Sequence, residues 1–198
     1  MEVQEYRGIR SLVYAEVTTD TKDTFACGDV KVLVAVAELS RTTETSSETK
    51  YYDNVPAIVI DSTGADEVSI TGAAIPFEVL ADITGQTYDA TLGMFVEGER
   101  QAKYFAIGYV TKKTDGTEVY VWRLKGKFNI PDSTHATEND GTDANGQELT
   151  FTGINTTHKF TKTGKSAKAV NVDTSVNAVV EADFFKTVQT PDTINKAV

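Results

Sequence analysis

A chain of 198 residues with 40% apolar and 24% charged positions suits one domain with extensions and can bury a core, which excludes a chain disordered throughout and collagen, coiled-coil or mucin-like architectures. Nineteen Lys and Arg against 29 Asp and Glu leave a net charge of −10, a sign that opposes attraction to nucleic-acid phosphates or anionic lipid. A single cysteine, Cys27, excludes an intrachain disulfide scaffold.

The composition includes 29 Thr and 22 Val, and β-branched side chains pack better on a pleated surface than in a helix, so the expected class is mainly β. The first residues, MEVQEYRGIRSLVYAEV, lack the basic and apolar regions of a secretory signal, and no apolar run approaches the roughly 18 residues of a membrane-spanning helix.

In chain order, 11–18 (SLVYAEVT) reads as a strand ending in the polar turn Thr19 to Asp23. Segment 30–38 is apolar on both parities from Val32 to Ala37, which predicts a central strand covered on both faces. Residues 39–54 (LSRTTETSSETKYYDN) are polar and too long for a tight turn, so they read as a long arm or loop before the apolar run 55–60. In 67–75, Val68 and Ile70 share one face and Glu67, Ser69 and Thr71 the other.

A flanking helix is expected over 76–84, with Pro76 at its first position, Gly85 as a left-handed cap, and Phe77, Leu80 and Ile83 as the stripe that lies on a sheet. Segments 104–112 and 117–125 flank Lys113-Thr114-Asp115-Gly116, and the Asp-Gly pair predicts a tight hairpin. In its second strand Tyr120 and Trp122 share one face while Val119 and Val121 share the other, so both faces are apolar and a two-layer package follows. A long polar loop spans 129–147, a strand resumes at 148–155, and an extension from about 173 carries Val176, Val179, Val180 and Phe184 at near-helical spacing.

Five acids (Asp132, Glu138, Asp140, Asp143, Glu148) separate Lys127 from Lys159 with no Lys or Arg among them, and Lys159, Lys162, Lys165 and Lys168 follow without an acid. Such runs are either solvated surface or complementary faces of a subunit contact.

The residues of catalysis are scarce. Only His135 and His158 accompany Cys27, too few for the usual N and S zinc sets, and no Gly-x-Ser-x-Gly elbow or phosphate-cradling glycine loop is present. The run Asp140 to Gly146 breaks the calcium-loop pattern at Gly141, so a turn at Asn145-Gly146 is the expectation there. We expect no enzyme activity, no cofactor and no metal site.

Taken together and in order, these pieces resemble the major tail (tail tube) proteins of long-tailed, non-contractile bacteriophages. The resemblance is carried by Tyr14-Ala15 with its Thr/Asp turn, by Val30 to Ala37, and by the arm ending in Tyr52-Asp53-Asn54. PFEVLADITG (76–85) with Tyr88-Asp89, FAIGYV (105–110), EVYVWRLKGKFNIPD (118–132), ELTFTGI (148–154) and FFKTVQTPDT (184–193) continue it, with Trp122, Lys125 and Phe128 at its centre. The acidic loop 132–147 and the lysine stretch 159–168 depart from it.

The resemblance implies a β-sandwich-like tail tube fold over 1–198, with the chain itself as principal partner in hexameric rings that stack into a conduit for DNA ejection. It further implies other tail proteins (tape measure, tail terminator, distal tail) as neighbours, a place in the virion tail, assembly in the bacterial host cytoplasm, DNA passing without specific binding, and no membrane. Core residues would include Phe77, Leu80, Ile83, Tyr120, Trp122 and Phe128. The arm, with Arg41, Glu44, Glu48, Lys50, Tyr51, Tyr52 and Asp53, is the candidate inter-ring contact, because tyrosines bury area well at interfaces. Six copies at −10 each would carry about −60, a like-signed lumen for DNA, with Glu67, Glu118 and Glu148 as candidate lumen-facing acids. The alternative is a monomeric immunoglobulin-like β-sandwich binding module, which Thr and Val richness alone would allow.

Overall fold

The computed structural model describes residues 3–135, 137 and 146–196. Its centre is the pair β8 (Phe105–Lys113) and β9 (Glu118–Phe128). The turn between them is closed by the Gly116 N–H on the Lys113 carbonyl and the Lys113 N–H on the Thr117 carbonyl. Only Gly116 there has a positive φ, +92°, so the loop is the longer kind with a glycine at its end and not a two-residue turn.

Alternation along β9 feeds two cores. Val119 and Val121 face one, and Tyr120, Trp122 and Leu124 face the other. Between the pairs Phe105–Gly126 and Ile107–Arg123, β9 carries one residue more than β8. That bulge reverses the alternation and brings Phe128 into the first core with Phe105 and Phe151. Gly126 is required here, because a Cβ would lie 2.3 Å from the Phe151 ring and 2.5 Å from the Thr152 carbonyl.

The remaining strands extend this pair. β1 (Tyr6–Asp20), β2 (Phe25–Cys27), β4 (Val36–Tyr52), β5 (Val55–Gly72) and β11 (Gln147–Gly153) complete the antiparallel order β2-β1-β8-β9-β11-β5-β4. Short β3 (Lys31–Val32) pairs with β1 and β10 (Asp132–Ser133) with β11. β12 (Ala169–Asp173) takes β9 at Val119–Arg123, above the stretch of β9 that β11 takes. The first core is covered by α1 (Phe77–Thr84), and β6 (Thr87–Asp89) and β7 (Met94–Val96) form a separate small hairpin beside it. The second core is closed by the C-terminal segment, where Trp122 Nε1 donates to the Phe184 carbonyl at 3.2 Å. The protein is mainly β, in a β-sandwich-like two-layer arrangement.

Several expectations are corrected. Segment 30–38 is not a central strand: it breaks after Val32, buries Leu33 and Val34 in the first core, and resumes at Val36 as the edge strand β4. Residues 39–52 are not a loop but most of β4, with Asp53 and Asn54 as its turn, and 55–60 and 67–72 are one continuous strand, β5.

Helix α1 ends as expected at Gly85 (φ +69°), but Pro76 precedes the helix and is not its first residue. Ile83 is buried and Leu80 packs partly against the core, whereas Phe77 is 55% exposed and stacks on Phe95 of β7. Only one turn of helix, α2 (Glu181–Phe184), forms in the C-terminal stretch, because the Asp173 carboxylate takes the Ser175 N–H and holds 173–177 as a turn. Glu138, Asp140 and Asp143 of the acidic loop, and most of the calcium-like run, lie outside the described residues.

Candidate assembly surface

The β4–β5 hairpin turns at Asp53 and Asn54, whose φ values of +49° and +62° give a two-residue turn matched to the strand twist. Asp and Asn tolerate this left-handed region because their short side chains bond locally. Beyond the Thr45–Thr63 pair the hairpin is exposed on both faces, and its apolar side chains Tyr51, Tyr52, Val55, Val59 and Ile60 are each half exposed or more. About nine residues from Glu44 to Tyr52, at roughly 3.4 Å each, project it about 30 Å. β4 also ends the sheet, so its outer edge has no strand partner among the described residues. Glu48 and Lys50 pair with each other on this strand.

The hairpin is pinned at its base. Between the Thr43–Asp66 and Thr45–Thr63 pairs β5 carries an extra residue, a bulge at Gly64-Ala65. Asp66, 3% exposed, sits just inside the bulge as a shared acceptor. Arg123 Nη1 donates to it at 2.8 Å, the Thr43 hydroxyl at 3.0 Å and Lys168 Nζ at 3.2 Å, while Arg41 stands 3.7 Å away. Lys168 also donates to the Gly64 carbonyl.

Burial pushes the Asp66 carboxyl up, but the hydrogen bonds from Thr43 and Lys168 and the charges of Lys168 and Arg123 outweigh it and hold the group below the ordinary aspartate range. Arg123 Nη2 reaches the Tyr109 hydroxyl at 3.4 Å, and its buried Nε has no acceptor. Above this hub opens a cleft of about 1050 Å³, bordered by Tyr6, Leu39, Arg41, Tyr109 and Asn171.

A second surface lies on the far side of β4, β5 and β11. Register places Glu38, Thr71, Glu148 and Asp132 in one cross-strand row, Ser40, Ser69 and Thr150 in the next, and Thr42, Glu67, Thr152 and Lys127 in a third. Leu39, Ile70, Leu149, Val68 and Phe151 point the opposite way into the first core. The outward face is therefore a hydroxyl carpet bearing four acids and one lysine. Glu67 and Glu148 fall on it together. Glu118 does not: at the start of β9 it accepts both hydrogen bonds of Arg10 Nη2 at 2.8 Å, and Arg10 also pairs with Glu181.

The arm residues Glu44, Glu48, Lys50, Tyr51, Tyr52 and Asp53 all ride on the projecting hairpin, while Arg41 belongs to its base. Sequence reading missed Asp66 and Arg123, placed Lys168 only in a lysine run, and missed that 55–60 is exposed. Of the lysine stretch, Lys168 is half-buried against Asp66 and Lys162 reaches Asn195.

Cys27 and His158 border a separate small cleft, away from the Asp66 hub. His158 Nδ1 lies 3.1 Å from the Lys22 carbonyl with its ring edge-on to Phe160, and burial pushes the Cys27 thiol up to about 12, which suppresses the thiolate. Among the described residues no three His, Cys, Asp or Glu side chains gather as a metal set. No helix of the described residues is long and apolar enough to cross a membrane.

Comparison with protein families matches residues 20–192 to a model described as phage tail tube protein. Comparison with curated proteins gives no match.

Proposed function

Since the chain belongs to the phage tail tube protein family, we propose that it is the subunit of a virion tail tube, assembling with itself into hexameric rings that stack into the conduit for DNA ejection. The observation that carries the reading is the hairpin: a 17-residue edge strand whose outer margin has no strand partner among the described residues and whose apolar tip is exposed on both faces. An exposed edge of that length is an aggregation template unless neighbouring copies complete it, and a head-to-tail contact whose rotation closes gives a ring. Strands from several subunits then form a wall wide enough to leave an aqueous channel.

The hydroxyl and acid face of β4, β5 and β11 suits the lumen. Its Glu38, Glu67 and Glu148 repel phosphate, so DNA passes without binding. The hairpin supplies the axial contact between rings, with Tyr51 and Tyr52 as its anchors. Tape-measure, terminator and distal tail proteins are its other partners, assembly takes place in the host cytoplasm, and the chain performs no catalysis. The family match favours this over an immunoglobulin-like binding module.

Electron microscopy of the purified chain, alone and mixed with preformed tubes, tests the reading. Six-fold rings or tubes are expected. A monomer that persists at high concentration and does not add to tubes overturns it.

A further inference from the structure

The cleft above Asp66 matches the hairpin tip in charge and placement, and the geometry points to it as the socket into which the tip of a second copy of this chain inserts. This rests on the tube reading and names the receptor site for its axial contact. Three cations, Arg41, Arg123 and Lys168, meet there against the carboxylate of Asp66, a locally positive spot in a chain of net charge −10. Arg123, 5% exposed with its buried Nε unpartnered, borders this cleft beside the Arg41 and Lys168 that share Asp66 with it.

The hairpin from Glu44 to Asp61 has the opposite balance, four acids (Glu44, Glu48, Asp53, Asp61) against Lys50. Asp53 and Asn54 form its apex between the paired Tyr52 and Val55, so an incoming tip brings a carboxylate close to apolar side chains to a cleft of mixed lining. Charge pairing of this kind fixes register more than it adds affinity.

The occupant is a second copy and not the chain's own tip. Arg41, Thr43, Thr63 and Asp66 stand at the root of the hairpin, and the paired strands hold the apex about 30 Å from that root. Tip and socket on one rigid element, facing different copies, make a heterologous contact that repeats along the hairpin direction. The same residues that pin the hairpin root thus receive the next hairpin.

The test uses full-length chain in which Cys27→Ala removes the native thiol. Val55→Cys marks the tip and Asn171→Cys the socket, both being exposed positions. Oxidation of assembled tubes of the double variant should give a ladder of covalent oligomers on a non-reducing gel. Tip-only and socket-only variants doped together into excess wild-type chain should give dimers and nothing longer. Asp53→Asn, which keeps the left-handed turn, should raise the concentration needed for assembly several-fold while the melting temperature of the monomer stays unchanged. Tubes that form without cross-links, in both the double-variant and the doped samples, show another occupant in the cleft and overturn the inference while leaving the tube reading intact. Failure of the wild-type chain to form rings or tubes overturns both.

Discussion

Arg123 Nη1 donates to Asp66 Oδ2 at 2.8 Å between side chains that are 7% and 5% exposed, and this pair ties the middle of β9 to the root of the projecting hairpin. Removing one partner of such a buried pair leaves the other charge uncompensated, a cost of about 3–5 kcal/mol. Asp66→Ala is therefore expected to lower unfolding free energy by about that amount in urea titrations. Replacing both partners with apolar residues should recover much of the loss, and a single variant as stable as wild type would contradict the hub.

Acid should act through the same residue. A carboxyl held below its ordinary value, near 3.9 for aspartate, binds fewer protons in the folded than in the unfolded chain, so its stabilisation is present above about pH 4 and disappears as pH falls through the folded value. Asp20 shifts the same way: burial pushes it up, and the Lys125 hydrogen bond with the Thr157 and His158 N–H groups brings it down further. Melting temperature is expected to hold steady from pH 7 to about 4 and then drop. In Asp66→Asn the drop should be shallower, and an unchanged slope would count against the assignment.

Tyr51 and Tyr52 touch little of their own chain, at 65% and 61% exposure. Exposed substitutions of this kind usually stay within about 0.5 kcal/mol, whereas aromatic anchors at an interface lose about 2 kcal/mol or more on truncation. The Tyr51→Ala, Tyr52→Ala double variant should melt like wild type as a monomer yet need a much higher concentration to assemble, read by sedimentation. A parallel loss of both properties would place the tyrosines in the fold instead.

Glu67 and Glu148 lie on the open face, in rows two residues apart in each strand from the central Ser69–Thr150 pair. Glu67→Lys with Glu148→Lys puts cations where DNA would pass. Ejection from particles carrying these tubes should slow at low salt and recover at high salt, as counterion-linked binding requires. Equal rates at low salt would remove this face from the lumen.

Trp122 is fully buried between Phe185 and the Phe184 carbonyl. Its truncation to alanine should cost about 3–5 kcal/mol, measured by denaturant unfolding, because a large ring is lost and a cavity left.

Much of the fold is legible where neighbouring residues specify it. The Pro76 to Gly85 helix and the Asp115-Gly116 hairpin are written in short-range chemistry. The arm is misread because a hairpin that packs against nothing among the described residues has no alternation: Thr, Ser and Glu occupy both faces of β4, and the only local signal is Asp53-Asn54 between Tyr52 and Val55. Segment 30–38 misleads because apolar side chains on both parities fit a broken stretch dipping into a core as well as a central strand. Phe77 follows the helical period but sits in the first turn, past the edge of the buried face. The Asp66 hub escapes sequence reading altogether, since its donors come from β4, β9 and the stretch before β12, as much as 102 residues away.

The closure of the second core depends on the far end of the chain. Phe184 lies 62 residues beyond the indole that its carbonyl holds, and Phe185, Val188 and Ile194 pack against that core as well. A chain lacking that segment would leave the aromatic flank of the second core uncovered. The indole is therefore sealed by a segment that follows it by 62 residues, so the second core closes only when the C-terminal stretch docks.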